Sequence, residues 1–163
     1  MATADQARSK KESGADLGIL VLLAYQGFVR QLHTAMAERG FDDLGRSDGI
    51  VMRVLNGGPR KVSELSALLE ITPQGTAQIV EDMERRGYVV RRPDPGDARA
   101  RLVDLSPRGR KAIDAARAFH RAFETRMRRR HGAAAIDDFR AVLSDMAAAA
   151  PGGLDRELRA LYL

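Results

Sequence analysis

The sequence contains no cysteine and no tryptophan, and aromatic residues make up only 5% of its 163 positions. Without cysteine there can be no disulfide framework, no thiolate zinc site, no cysteine nucleophile and no thiol redox sensor. Histidine is nearly as scarce. His33, His120 and His131 are the only three, and none has a second histidine or a carboxylate at metal-site spacing on the same helical face. Ordinary solvated or hydrogen-bonded histidines account for them more simply than a metal centre does. No Ser/His/Asp arrangement and no glycine-rich phosphate loop stands out, so neither an enzyme nor a cofactor is expected. No apolar run reaches the roughly 18 residues that a membrane span needs, and the polar opening "MATADQARSKKESGAD" lacks the apolar centre of a signal peptide. The expected location is the cytoplasm, with no membrane partner.

What remains is rich in alanine, leucine, valine and arginine, so strong helix formers outnumber sheet formers and a mostly α protein is expected. The length suits one domain with a real core, or a small domain carrying extra helices for a partner. The net charge is +5, and it is concentrated: residues 108–130 hold nine basic and two acidic side chains, while the rest of the chain is close to neutral. Such a stripe is an electrostatic footprint for a polyanion, although solvated arginines on a long helix would look the same in isolation.

Residues 1–14 are polar and aperiodic and read as a disordered arm. From Leu17 an apolar helical spacing begins with Leu20, Val21, Ala24, Phe28, Leu32 and Ala35, and Ile19, Leu22, Leu23 and Tyr25 widen the stripe almost all the way round. A helix apolar on most faces needs two surfaces to cover it, one from its own domain and one from a second copy. "SDGIVMRVLNGGP" predicts a second helix, capped by Ser47 or Asp48 and stopped at Gly57 to Pro59. "VSELSALLE" and "TPQGTAQIVEDMERRG" predict two short helices separated only by Glu70, Ile71 and Thr72. Thr72 before Pro73 is a strong helix start, because threonine caps free amide hydrogens and proline has none to satisfy. "YVVRR" and "RLVDL" then predict a hairpin whose long tip is "PDPGDARA". Ser106-Pro107 opens a long helix with Ile113, Ala116, Phe119 or His120, Phe123 and Met127 inward. Ile136, Phe139, Leu143 and Met146 mark a last full helix, and "PGG" at 151–153 separates a tail with Leu154, Leu158 and Leu161. The division expected is an arm (1–14), a dimerisation helix (15–42), a winged helix-turn-helix domain with a two-stranded β wing (43–106), and a long helix with C-terminal dimerisation helices (107–163).

Two helices joined by three residues, then a hairpin, then a long helix, outline a winged helix-turn-helix. In that arrangement the second helix of the pair enters the DNA major groove by its N-terminal residues. Here that end is Thr72, Pro73, Gln74, Gly75, Thr76 and Gln78, without an acidic residue before Glu81. Gln74 and Gln78 lie four apart on one side, and glutamine can pair bidentately with adenine. The free amides and the helix dipole add a phosphate-binding element. On the hairpin, Arg99 and Arg101 follow the tip on alternate residues, and so on one face. Asp97 is placed to accept a hydrogen bond from a nearby arginine. A projecting arginine suits a narrow, electronegative minor groove. Arg108 and Arg110 are the members of the basic stripe expected near phosphate, while "RMRRRHG" could equally serve the helix C-terminus.

The ordered series "RRGYV", "RRPDPGDAR", "LVDL", "SPRGR" carries a resemblance: residues from about 44 to 115 are similar to the MarR (multiple antibiotic resistance regulator) family. The resemblance implies a homodimeric winged-helix transcription factor, expected to be a repressor. It would bind double-stranded DNA at a pseudo-palindromic operator and work at the nucleoid. It also implies that Arg99, in the "DAR" triplet, enters the minor groove with Asp97 as its structural partner. Members commonly hold a small-molecule effector between the dimer helices and the winged domain, walled here by the first, second and long fifth helices. On that basis Tyr25, Phe28 and Arg53 are the candidates for an aromatic or anionic ligand, with core aromatics and a surface arginine as the plainer alternative. A non-specific architectural DNA-binding protein is the competing function.

Overall fold

A computed structural model describes residues 16–148; the polar arm at 1–14 and the leucine tail at 154–161 lie outside the described residues. Six helices and one hairpin follow in the order α1 (Leu17–Ala37), α2 (Asp48–Leu55), α3 (Val62–Leu69), α4 (Pro73–Arg85), β1 (Val89–Asp94), β2 (Asp97–Leu105), α5 (Pro107–His131) and α6 (Ala133–Ala148). This is the winged helix-turn-helix arrangement, mostly α with an antiparallel two-stranded wing.

Local chemistry sets the boundaries. Thr72 caps α4 by accepting the Gly75 amide at 3.1 Å, with Pro73 in the first turn. Ser106 does the same for α5 through the Gly109 amide at 3.0 Å. At α3 the Glu64 carboxylate reaches back to the Lys61 amide at 2.9 Å. The tight link between α3 and α4 is possible because Glu70 takes a left-handed conformation, φ 56°, as the C-cap of α3. It is the only non-glycine residue among those described to do so, and its composition gave no warning.

The core lies where α2, α3 and α4 meet the base of the wing. Val51, Leu55, Leu65, Leu69, Val80, Met83, Tyr88, Val89, Val103 and Leu105 are all buried, each large aliphatic contributing on the order of 1.5–3 kcal/mol of burial. The α2–α3 connection joins the sheet: Arg60 and Val103 exchange both backbone hydrogen bonds, at 3.0 and 2.8 Å. α5 packs back through Ala112 and Phe119, and Phe119 meets Phe28 of α1 at 5.6 Å between ring centroids. Phe119, rather than His120, is the inward residue. α1 is divided along its length. Its C-terminal half reaches the core through Leu32 and Met36, whereas Leu17, Ile19, Leu20, Leu22 and Leu23 stay exposed.

The wing differs from the expected long tip. Strand pairing continues past Arg92 to Pro93↔Arg101 and resumes at Asp94↔Asp97, so the turn is short and the surplus residues 98–100 form a bulge on the returning strand. Pro93 is tolerated because this is an edge strand, where a missing amide hydrogen breaks no second ladder.

A charged network ties these elements together. Arg86, just after α4, donates to both oxygens of buried Asp48, to Asp82, and to the Asp43 carbonyl at 2.7 Å. Asp48 was a candidate cap for α2. It caps nothing there; its carboxylate instead accepts the Gly45 amide at 2.8 Å and holds Arg86. Tyr88 donates its hydroxyl to Asp43, and Arg108 of α5 lies over the Tyr88 ring at 4.7 Å while donating to Asp43 at 2.8 Å. Burial, then the Asp43 carboxylate, push the Tyr88 phenol up to about 12. A phenol held above its ordinary 10.0 favours the fold below pH 10, and that contribution is lost as pH rises towards 12. A spectrophotometric titration should therefore show one of the three tyrosines ionising late, in step with alkaline unfolding. Tyr88→Phe should remove that late step and leave the others.

Candidate nucleic-acid interface

Gln74 and Gln78 are exposed on the first two turns of α4, and Thr72 and Pro73 are exposed at its tip. The inward face of the same helix, Val80 and Met83, is fully buried, so the glutamines are held on a rigid element. Thr76 is a correction to the expected reading surface. It is fully buried and its hydroxyl donates to the Thr72 carbonyl at 3.1 Å, so it stabilises the first turn and offers nothing to a ligand. Gly75 is half-buried, its amide held by the Thr72 hydroxyl. The acids in the second half of α4 are largely neutralised: Asp82 by Arg85 and Arg86, and Glu84 by Arg91 at 3.3 Å. Hydrogen bonds from Arg85 and Arg86 hold the Asp82 carboxyl below its ordinary range.

Arg99 and Arg101 are exposed on the wing. The alternation expected to place them on one face is broken, because Arg99 lies within the bulge. Asp97 accepts a hydrogen bond from a nearby arginine, as expected, through the backbone rather than the guanidinium. Its carboxylate accepts the backbone amide of Arg99 at 3.0 Å, which fixes the start of the bulge and leaves the Arg99 guanidinium without a partner among the described contacts. Arg108 and Arg110 are also reassigned. Arg108 is committed to Asp43, the Gly40 carbonyl and the Tyr88 ring, and Arg110 to buried Asp104 at 3.0 Å. Both act as braces for the base of the wing. Of the distal run, Arg126 donates to Gln31 of α1 at 2.8 Å, and Arg128 joins Glu124 to Asp137 across α5 and α6.

The expected effector walls change as well. A cavity of about 1000 Å³ opens between α1, α5 and α6, with α2 taking no part. Phe28, Phe123, Met127, Ile136, Phe139 and Arg140 line it; Tyr25 and Arg53 are exposed and do not. Sequence reasoning missed α6 as a wall because its small and apolar residues signal packing without saying against what. His120, beside Phe28, is held below its ordinary value by desolvation first and by the nearby Arg53 charge second. Among the described residues no cluster of His, Asp or Glu could hold a metal ion, and no helix is long and apolar enough to cross a membrane.

A capped helix presenting glutamines beside an arginine-bearing wing defines a winged helix-turn-helix protein. Residues 42–100 match the model of the MarR family. Over 88 residues the chain is 35% identical to the transcriptional regulator HosA of Escherichia coli O111:H-, covering 53% of this chain and 64% of that protein. It is similar in fold to a Staphylococcus aureus MepR mutant solved bound to an oligodeoxyribonucleotide, with a TM-score of 0.61, 14% identity and coverage of 81% of this chain and 96% of that one. It is also similar to the Mycobacterium tuberculosis MarR family protein Rv2887, solved with salicylic acid, with a TM-score of 0.55, 25% identity and coverage of 81% and 96%. Through its winged-helix unit this chain is similar to the MarR family. The matched stretch spans a little under two thirds of the length of HosA.

Proposed function

We propose that the protein is a sequence-specific, DNA-binding transcriptional regulator that works as a homodimer on a pseudo-palindromic operator, as a repressor. The carrying observation is the pair of exposed glutamines, Gln74 and Gln78, on a rigid capped helix next to a wing whose Arg99 and Arg101 face solvent. Glutamine amides suit base edges in the major groove, and the wing arginines suit the minor groove. The homodimer is supported by apolar surface that one copy leaves uncovered. On α1, Leu17 is 68% and Leu23 53% exposed; on α6, Phe139 is 53% and Val142 51% exposed. That much exposed apolar surface is costly in water, and a twofold partner would cover it and set two reading helices about one DNA turn apart.

Release by a small aromatic or anionic ligand is the remaining part of this reading. Its support is the α1/α5/α6 cavity, lined by three phenylalanines and by Arg140, whose guanidinium pairs with Glu124 at 2.9 Å, together with the salicylate held by Rv2887. Of the candidates named from sequence, only Phe28 lines that space.

The decisive experiment is selection of bound fragments from genomic DNA, followed by footprinting. A regulator protects one pseudo-palindrome far more strongly than random duplex, whereas an architectural protein protects everything alike with the same steep salt dependence. Gln74→Ala and Gln78→Ala should each weaken operator binding by about 1–3 kcal/mol and relax sequence preference. Arg99→Ala should weaken binding more evenly across sequences. Undiminished operator binding by all three variants would overturn the reading surface.

A further inference from the structure

Asp94 closes β1 at the point where the strand register shifts. One of its carboxylate oxygens accepts the Gly96 amide at 2.9 Å, which shapes the turn, and the other meets the Lys61 ammonium at 3.2 Å. Lys61 belongs to another part of the chain, the N-cap position of α3, and its neighbour Arg60 is paired by backbone to Val103. The loop before α3 thus grips the hairpin at two places. Arg60 holds the middle of the returning strand and Lys61 holds the outgoing strand at the edge of the bulge that carries Arg99. Without the second grip, the outer part of a two-stranded ribbon is free to twist about its base.

We propose that the Lys61–Asp94 pair is a latch that fixes the attitude of the wing relative to the helix pair, making both side chains positioning residues for the presentation of Arg99. The two groups respond to one another: Asp94 is held below its ordinary range, by the Gly96 amide first and then by Lys61, and Lys61 is held above its own by Asp94. The Lys61 side chain is 40% and the Asp94 side chain 14% exposed, and an ion pair this near the surface adds little to global stability. Its consequence here is geometric, because it restrains a lever whose far end carries the groove-seeking arginine. The part of the inference that concerns DNA rests on the proposed function; the restraint on the wing does not.

Because the chain lacks cysteine, Pro95→Cys at the exposed turn gives a single site for a nitroxide spin label. Electron paramagnetic resonance spectra of the full chain without DNA should sharpen when Asp94→Asn or Lys61→Met is added, and should return towards the parent line shape with Lys61→Arg. Asparagine can still accept the Gly96 amide, so the first substitution removes the ion pair and keeps the turn. The same substitutions in the unlabelled protein should weaken operator binding by up to about fivefold, the upper end for an exposed pair, with thermal unfolding unmoved and arginine at position 61 restoring affinity. Identical line shapes in all four labelled proteins would overturn the latch. So would weaker DNA binding without any change in wing mobility, since Lys61 would then be acting on DNA directly. Sharpened spectra with operator affinity unmoved would support the latch and count against the wing as a DNA reader.

Discussion

Arg86→Met is expected to lower the free energy of unfolding by about 3 kcal/mol, the lower end of the range for breaking a buried ion pair. Asp48 is 2% exposed, and Arg86 supplies hydrogen bonds to both of its oxygens. Removing the guanidinium leaves that carboxylate buried with the Gly45 amide as its remaining donor. The loss is not confined to one contact, because Arg86 also binds Asp82 of α4 and the Asp43 carbonyl of the α1–α2 loop. Its positive charge is retained by the fold at any accessible pH, since the hydrogen bond to Asp48, chiefly, raises an already high value. Urea unfolding of Arg86→Met, of Asp48→Asn and of the double variant forms the test. Asp48→Asn keeps an acceptor for the Gly45 amide and removes the stranded charge, so the double variant should recover part of the loss and give a coupling energy of about 1 kcal/mol or more. Strictly additive losses would mean that Arg86 stabilises by packing alone. The arrangement also has a functional side. Arg86 anchors the C-terminal end of the helix whose N-terminal end presents Gln74 and Gln78, so operator affinity should fall with stability in Arg86→Met even though residue 86 lies away from the reading surface.

Arg86 stands in the plainest part of the sequence, the "RRGYV" that ends α4, yet its role was not readable there. Its partner Asp48 lies 38 positions away, and Tyr88 and Arg108 find Asp43 at separations of 45 and 65. Spacing rules reach one or two helical turns, and nothing in them pairs an aspartate with an arginine across three elements. Features governed by local chemistry were legible by contrast. Thr72-Pro73 and Ser106-Pro107 start α4 and α5 as their capping chemistry requires, and helical periodicity located all six described helices.

The misreadings at the site have the same origin. Thr76 sits among the polar residues of the α4 tip in the sequence, but burial and the bond to Thr72 turn it to the inner side of the helix. Arg108 and Arg110 look like free charge in the sequence because the stripe around them is so basic, but Arg108 is paired with Asp43 and Arg110 with buried Asp104. The wing tip looks long in the sequence because a proline such as Pro93 commonly ends strand pairing. On an edge strand it does not, and the excess chain appears instead as the bulge at 98–100. The first two of these misreadings push in one direction: they overstate how many side chains are free. The surface proposed for DNA is correspondingly smaller, with two exposed glutamines, the exposed helix tip, and two exposed arginines on a braced ribbon.

The second large effect is expected at Gly109, in the first turn of α5, where alanine should destabilise by about 3 kcal/mol. Glycine to alanine on a helix ordinarily stabilises by about 0.4–1 kcal/mol, because it narrows the unfolded ensemble. Gly49 in α2 meets that condition, since a methyl group there would touch nothing within 4 Å. At Gly109 the added carbon would stand 2.2 Å from the Tyr88 carbonyl oxygen and 3.2 Å from a Leu105 methyl. The first of these is backbone and has no rotamer to yield. The same carbonyl accepts the Ser106 amide at 3.0 Å, and the Ser106 hydroxyl donates to the Gly87 carbonyl while accepting the Gly109 amide. Relief of the clash must therefore lift the start of α5 off the start of β1, breaking the cap that begins the long helix. Thermal unfolding of Gly49→Ala and Gly109→Ala should shift in opposite directions from the parent, and a small rise at position 109 would mean that this contact is looser than the geometry requires. If α5 also carries the dimer, the consequence extends beyond stability. The junction at Gly109 is where the wing base meets the helix that leads to α6, so tilting α5 there would change the distance between the two reading helices of a dimer. Gly109→Ala should then lose more affinity for a full operator than for an isolated half-site, a ratio measurable by titrating both duplexes with folded protein at low temperature.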